Sequence, residues 1–133
     1  MESVNANVIK GLNFGAKVPT CDNSGAKVIK IFGCKGMKSV KGRMGKAGVG
    51  DMVMASVVKG KPDMRKQTVM AVIVRQKKEY RRKDGTRIKF EDNAAVVVKD
   101  DKGNPKGTIL KGAVAKEAVE RWGNLSKIAK IIA

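Results

Sequence analysis

Short runs of β-branched and other apolar residues recur along most of the chain, and glycine-rich turns separate them. Residues 69–74 are continuously apolar, as in a strand that is covered on both faces, whereas residues 87–90 alternate with period two. Frequent short strands of this kind are typical of a small antiparallel barrel or sandwich. We therefore predict a mainly β protein with strands at residues 27–32, 51–59, 68–75, 87–90 and 94–98.

The spacing of apolar residues changes after Gly112. Apolar residues then recur at every third or fourth position, the pattern of one helix face, at 115, 118, 119 and 122 and again at 125, 128, 129 and 132. Gly123 is placed to end the first helix, and Ser126 to cap the second. We predict two short C-terminal helices at about 113–133 as part of one domain spanning residues 1–133, since no repeat or linker divides the chain.

The chain is strongly basic, with 29 lysines and arginines against 12 acidic residues and a formal net charge of +17. Such a surface needs a polyanion as its partner, either nucleic acid or an acidic membrane. The chain has no histidine, which excludes Ser-His-Asp triads and histidine-liganded zinc. Cys21 and Cys34 do not form a CxxC pair, so we expect two small free thiols. We predict no catalytic residue, no metal site and no cofactor.

The first residues contain no basic segment followed by an apolar run, and no stretch of the chain reaches the roughly 20 apolar residues of a membrane span. We therefore expect a soluble, cytosolic protein. Binding to a membrane surface is a less favoured use of the charge, because the basic residues lie mainly in the β part of the chain.

A glycine-rich loop at residues 35–48 carries five basic residues and no acid. Its glycines allow the backbone to approach a phosphate closely. We predict phosphate contacts from Lys35, Lys38, Lys41, Arg43 and Lys46; the alternative is a solvated loop.

Residues 75–89 read as a basic β-hairpin with Asp84-Gly85 as a two-residue type I′ turn. In that register Arg82 faces Arg87 and Tyr80 faces Lys89. Like charges directly opposite each other destabilise an isolated hairpin, so an anion is expected between them. We predict a projecting ribbon that binds RNA through Arg75, Lys77, Lys78, Tyr80, Arg81, Arg82, Lys83, Arg87 and Lys89; the alternative is a solvated surface hairpin.

The chain has few aromatic residues, and most of them lie in apolar patterns. Phe32, Phe90 and Trp122 are expected in the core, which leaves Tyr80 as the one credible exposed ring. A base-stacking platform needs several exposed rings. The composition therefore favours binding of folded RNA through its backbone and shape.

Two other functions remain open from the residues alone. An OB-like single-stranded RNA-binding protein or RNA chaperone would require exposed aromatic rings. A metal-dependent nuclease would have to use Asp100 and Asp101, which lie in a segment with the composition of a turn.

Several spaced motifs resemble one family, the universal large-subunit ribosomal protein L-fourteen family. They lie at residues 71–74, 84–85, 90, 93 and 96–97, with flanking blocks at 22–27, 47–51, 106–108 and 116–117. Residues 59–66 and 80–93 resemble the archaeal and eukaryotic members. The resemblance runs from about residue 18 to the end, and nothing is carried over to residues 1–17.

The resemblance implies a closed five-stranded antiparallel β-barrel with a projecting hairpin and small C-terminal helices. It implies a structural, non-enzymatic role in the large subunit, bound to ribosomes in the cytoplasm. The implied partners are large-subunit rRNA, small-subunit rRNA at intersubunit bridges, large-subunit proteins three and twenty-four-e, and anti-association factor six. The resemblance places the docking face for that factor at Thr108, Lys111, Lys116, Glu120 and Arg121.

Overall fold

A computed structural model describes residues 6–35 and 45–133. The regular structure of these residues consists of β1 (Ala6–Asn7), β2 (Leu12–Asn13), β3 (Lys17–Pro19), β4 (Ala26–Cys34), β5 (Lys46–Ala47), β6 (Met52–Gly60), β7 (Thr68–Arg75), β8 (Tyr80–Arg82), β9 (Arg87–Ile88), β10 (Ala94–Val98), β11 (Ala113–Val114), the helix α1 (Lys116–Arg121), a 3-10 helix (Gly123–Lys127) and β12 (Ile131–Ile132). The five predicted strands are confirmed, although β9 is shorter than expected.

The main sheet has the strand order β10-β7-β6-β4-β3, and every neighbouring pair is antiparallel. β4, β6 and β7 are long because their β-branched and apolar residues suit a pleated, buried surface. The fold is therefore mainly β, as predicted.

The expectation of a closed barrel is wrong for the described residues. The two outer strands of the main sheet, β3 and β10, are joined only by an isolated parallel bridge between Thr20 and Ala95. The backbone N–H of Cys21 donates to the Ala95 carbonyl at 3.1 Å. A longer ladder does not form there because β3 has only three residues and ends at Pro19, which has no N–H to donate.

Two apolar clusters lie on opposite faces of the main sheet. The inner cluster includes Ile31, Val53 and Ile73, and the outer cluster includes Val72 and Val96. The hairpin and the C-terminal segment, residues 111–133, cover the outer cluster, so β7 and β10 are buried on both faces, as the continuous apolar runs predict.

The C-terminal segment differs from the two predicted helices. α1 is confirmed, but Gly123 begins a 3-10 helix rather than ending the regular structure. The expected second helix is not formed, since Ile131–Ile132 pairs in parallel with β11. The backbone N–H of Ala133 donates to Val114 at 2.9 Å, which holds the last residues extended.

Cys21 and Cys34 are free thiols, and burial raises the pKa of Cys21 to about 11. In the described ranges, no helix is both long enough and apolar enough to cross a bilayer.

Candidate nucleic-acid interface

The basic hairpin forms, but its register differs by one residue from the predicted one. Arg81 faces Arg87, and Tyr80 faces Ile88. The backbone N–H of Arg82 donates to Thr86 at 2.8 Å, and that of Gly85 donates to Arg82 at 2.9 Å. Gly85 has a φ of 91°, which is the left-handed conformation of a three-residue hairpin loop. The predicted two-residue turn is therefore wrong.

A shift of one residue moves every side chain of a strand to the other face. Tyr80 points inward and is fully buried, and Ile88 packs against the outer apolar cluster. The expectation that Tyr80 is a free ring for RNA is therefore wrong. Because its inner face is packed, the hairpin does not project as a free ribbon.

A buried carboxylate holds the inner face of the hairpin. Glu117, on α1, is 3% exposed and accepts hydrogen bonds from the Tyr80 hydroxyl at 2.9 Å and from Nε of Arg82 at 2.7 Å. Burial and the neighbouring Glu117 raise the pKa of the Tyr80 phenol. Arg82 also donates to the Ala133 carbonyl at 2.6 Å. Its guanidinium is thus bound within the protein, and its contact with RNA stays a prediction.

The N-terminal segment adds a third strand to the hairpin. β1 pairs with β8, so β8 is the central strand of a three-stranded sheet. The fully buried Gln76 fixes the base of this sheet. Its amide donates to the carbonyls of Ile9 and Lys78, both at 2.9 Å, and accepts from the N–H of Val49 at 3.0 Å. Sequence reasoning missed both Gln76 and Glu117, because a polar residue gives no periodic signal of burial.

The outer face and the tip of the hairpin carry exposed cations. Arg81 and Arg87 are directly opposite each other, and both are exposed. Arg87 lies 3.5 Å from Glu79 in an exposed pair, which is a weak interaction. The exposed cations of the hairpin and its base are Lys77, Lys78, Arg81, Lys83, Arg87 and Lys89.

Arg75 is not part of this exposed surface. Its Nη1 donates to the carbonyls of Lys111 and Ala113 at 3.2 Å, and its Nε lies 3.2 Å from Asp92. A side chain at Gly112 would collide with the guanidinium. Arg75 therefore connects β7 to the C-terminal segment, and its contact with RNA stays a prediction.

The basic loop is described only at its two ends. Lys35 and Lys46 are exposed, and Nζ of Lys35 lies 3.2 Å from Asp101. Lys46 belongs to β5, which pairs with β2. The predicted contacts at Lys38, Lys41 and Arg43 lie outside the described residues.

The residues of the expected protein-docking face have different local surroundings. Thr108 is exposed, and its backbone N–H donates to Asn23 at 2.7 Å. Arg121 is half-buried, lies 3.1 Å from Asp51 and is 5.8 Å from the centre of the Trp122 ring. Lys111 is exposed. Lys116 and Glu120 line an open cleft of about 600 Å³ together with Arg82, Lys83, Asp84 and Glu117.

The two neighbouring aspartates form a turn, as predicted. Asp100 accepts hydrogen bonds from the backbone N–H of Lys102 at 3.1 Å and from the side-chain amide of Asn104 at 2.9 Å, and the latter bond chiefly lowers its pKa. Across residues 6–35 and 45–133, no group of three or more acidic or cysteine side chains is placed to hold a metal ion.

Comparison with known proteins identifies the family. The model of the family described as ribosomal protein L14p/L23e matches residues 11–133, a longer stretch than the one inferred from the motifs. A large ribosomal subunit protein uL14 from Nanoarchaeum equitans is 55% identical over 132 residues, which is 99% of each chain. The uL14 proteins of Methanococcus maripaludis and Methanococcus vannielii are 51% and 49% identical over the same coverage. The family is structural and non-enzymatic, and this chain belongs to the ribosomal protein L14p/L23e family.

Proposed function

We propose that this chain is a structural constituent of the large ribosomal subunit, bound to ribosomes in the cytoplasm. The family match and the names of the archaeal relatives support this role. We propose further that it binds large-subunit rRNA through phosphate contacts. The observation that carries this step is the exposed cross-strand pair of Arg81 and Arg87. Two like charges in direct opposition cost stability unless an anion lies between them.

The proposed phosphate contacts come from two surfaces. The hairpin contributes the exposed side chains of its outer face, tip and base, and the glycine-rich loop contributes the rest. Each contact releases counterions from the RNA, so binding should weaken as salt rises. The proposed contacts are Lys77, Lys78, Arg81, Lys83, Arg87 and Lys89 on the hairpin, and Lys35, Lys38, Lys41, Arg43 and Lys46 on the loop.

Tyr80, Arg75 and Arg82 have a different role in this proposal. They hold the hairpin and β7 against the C-terminal segment through Glu117 and backbone carbonyls, and Arg75 also pairs with Asp92. The exposed cations are thereby kept on one rigid surface. A rigid surface loses less conformational entropy when it binds than a free ribbon does.

The proposed assembly includes further partners. The family resemblance supports bridges to small-subunit rRNA and contacts with large-subunit proteins three and twenty-four-e. It also supports docking of anti-association factor six on a face that includes Thr108, Lys111, Lys116, Glu120 and Arg121. The exposure of Lys111, Lys116 and Glu120 is compatible with such docking.

The salt dependence of binding to a large-subunit rRNA fragment tests the phosphate contacts. Each lost contact should reduce the slope of log K against log salt by about 0.7–0.9. The double variant Arg81→Ala/Arg87→Ala should therefore reduce the slope by about 1.4–1.8, while Arg81→Lys/Arg87→Lys should retain it. Lys127→Ala/Lys130→Ala removes the same charge from the C-terminal segment and serves as the control. A slope that falls equally in the control and in the hairpin variant would contradict the proposed site.

A further inference from the structure

The C-terminal segment covers only part of the outer face of the main sheet and leaves the rest of it open. Two neighbouring rows of side chains cross it. The first row runs across four strands through the paired residues Lys17, Lys30, Ser56 and Thr68. The second contains Phe32 and continues through the paired residues Met54, Met70 and Val98. We call these two rows the open face.

The second row exposes an aromatic ring that sequence reasoning assigned to the core. Phe32 is 51% exposed and Met54 is 39% exposed. A β-bulge interrupts the alternation here, because Ile31 pairs with Ala55 and Gly33 with Met54, which leaves Phe32 as the extra residue. Its exposed ring lies outside the inner cluster to which Ile31 belongs, and we place it beside Met54 on the open face. The Met54 side chain lies over Gly33, since a Cβ there would be 2.9 Å from the methionine methyl group. A groove of about 400 Å³ continues from Met54 along Met70 and Val98 to Lys99 and Lys106.

The first row places two cations side by side. Lys17 and Lys30 are directly opposite each other on β3 and β4, and both are exposed. In the described part of the chain, no ion pair involves either lysine. Two like charges so placed destabilise the strand pair unless an anion joins them. Lys30 directly precedes the bulge that contains Phe32, so the Cα atoms of the two residues lie within about 7 Å of each other.

We infer that the open face binds unpaired nucleotides of single-stranded RNA. One base stacks on Phe32, the adjoining phosphates lie between Lys17 and Lys30, and the hydroxyls of Ser56 and Thr68 bind the sugar-phosphate backbone. The two rows contain an aromatic ring, two cations and two hydroxyls but no carboxylate, which is the chemistry of a stacking site with a basic border. An apolar protein segment would gain nothing from the lysine pair unless it also carried acids.

This inference deepens the proposed function and rests on RNA as the partner. It concerns a different surface, however, because the hairpin contacts lie on β8, β9 and the residues next to them, whereas the open face lies on the five strands of the main sheet. The two surfaces also differ in the RNA that they recognise. The hairpin holds backbone phosphates of folded RNA, whereas Phe32 needs a base that is free to stack.

Fluorescence anisotropy with two labelled RNAs separates these surfaces. The probes are an eight-nucleotide oligouridylate and an RNA hairpin with a fully paired stem. Loss of one stacked base should weaken oligouridylate binding by about 5- to 100-fold in Phe32→Ala. Phe32→Tyr should keep the affinity, and binding of the paired stem should be unchanged in both variants. Ile109→Ala is the matched control, since Ile109 is 47% exposed and lies outside the open face.

The lysines are tested in the same assay. Lys30→Ala and Lys17→Ala should each reduce the slope of log K against log salt for oligouridylate by about 0.7. Thermal unfolding followed by circular dichroism shows whether each variant is folded. The melting temperature should change little, because these positions are exposed.

Equal oligouridylate affinity in Phe32→Ala and Ile109→Ala would overturn the inference. So would a Phe32→Ala variant that binds oligouridylate normally but no longer assembles into large subunits, because the face would then contact a protein. If the unaltered chain fails to bind a large-subunit rRNA fragment, the proposed function itself fails. If the unaltered chain binds the fragment and Phe32→Ala does not change the affinity for oligouridylate, only this inference fails.

Discussion

The carboxylate of Glu117 accepts a hydrogen bond of 2.7 Å from Nε of Arg82, although the two residues are 35 positions apart in the chain. The same carboxylate accepts the Tyr80 hydroxyl at 2.9 Å. One acid on α1 therefore fixes the inner face of a hairpin whose outer face is basic. Together with the Gln76 hydrogen bonds and the packing of Ile88, this contact positions the exposed cations of the hairpin.

Replacing Glu117 should destabilise the protein strongly. Glu117→Ala leaves the Arg82 guanidinium and the Tyr80 hydroxyl without their shared partner in a mostly buried site. Removing one member of a buried ion pair costs about 3–5 kcal/mol, and we expect about 2–4 kcal/mol here because Arg82 is partly exposed. Urea unfolding followed by circular dichroism measures the change.

Glu120→Ala is the control for this prediction, because Glu120 is exposed on the same helix. Its effect on the free energy of unfolding should stay within about 0.5 kcal/mol. Equal effects of the two substitutions would show that Glu117 does not anchor the hairpin.

Two glycines with similar φ angles allow the cost of backbone strain in a Gly→Ala substitution to be separated from the cost of a steric collision. Gly103 has a φ of 87° and Gly85 a φ of 91°. A Cβ at Gly103 would lie 2.7 Å from the Trp122 ring, whereas nothing lies within 4 Å at Gly85. Gly85→Ala should cost about 1 kcal/mol from strain alone, and Gly103→Ala about 1–3 kcal/mol more from overpacking. Thermal unfolding of the two variants measures the difference, and equal losses would contradict the packing of Trp122 against Gly103.

The two thiols should react at different rates. Cys21 is buried, and burial raises its pKa to about 11, so little thiolate is present near neutral pH. Cys34 is only partly buried. At pH 8, iodoacetamide should label Cys34 first and reach Cys21 mainly after denaturation. Mass spectrometry of the labelled peptides gives the order, and faster labelling of Cys21 in the folded protein would contradict its burial.

The same thiol should make stability fall at alkaline pH. The pKa of Cys21 is about 11 in the folded protein against 9.0 for a free thiol, so the unfolded chain loses this proton first as the pH rises. The protonated thiol contributes at most about 2–3 kcal/mol to the free energy of unfolding. This contribution is fully present below pH 9 and is lost as the pH rises towards 11. Unfolding curves from pH 8 to 10.5 measure it. Cys21→Ala should flatten the decline, and an equal decline in both proteins would assign it to other groups such as Tyr80.

The strands of the main sheet could be predicted because their apolar runs are long and bounded by glycine-rich turns. The register of the hairpin could not. Asp84-Gly85 fits a two-residue turn as well as the three-residue loop that forms, and the choice depends on packing of Tyr80 against residues far away in sequence. The one-residue difference in hairpin register determines which cations are exposed. Glu117 lies in a helix of six residues, and the sequence around it does not indicate that its carboxylate binds Tyr80 and Arg82.

Phe32 shows a second limit of sequence reasoning. The apolar run in β4 predicts a strand, but it does not reveal which of its faces is covered. The C-terminal segment covers the outer face near Val72 and Val96 and leaves Phe32 exposed. The extent of that cover depends on tertiary packing, which no local pattern in the sequence encodes.

Sedimentation of cell lysate through a sucrose gradient at low Mg²⁺ tests the central claim most directly. Each fraction is probed for this protein and for the two subunit RNAs, before and after a moderate salt wash. The protein should travel with the large subunit and remain there after the wash, since it is proposed to be bound by many phosphate contacts. Recovery at the top of the gradient, free of large-subunit RNA, would contradict the proposed role in the large subunit.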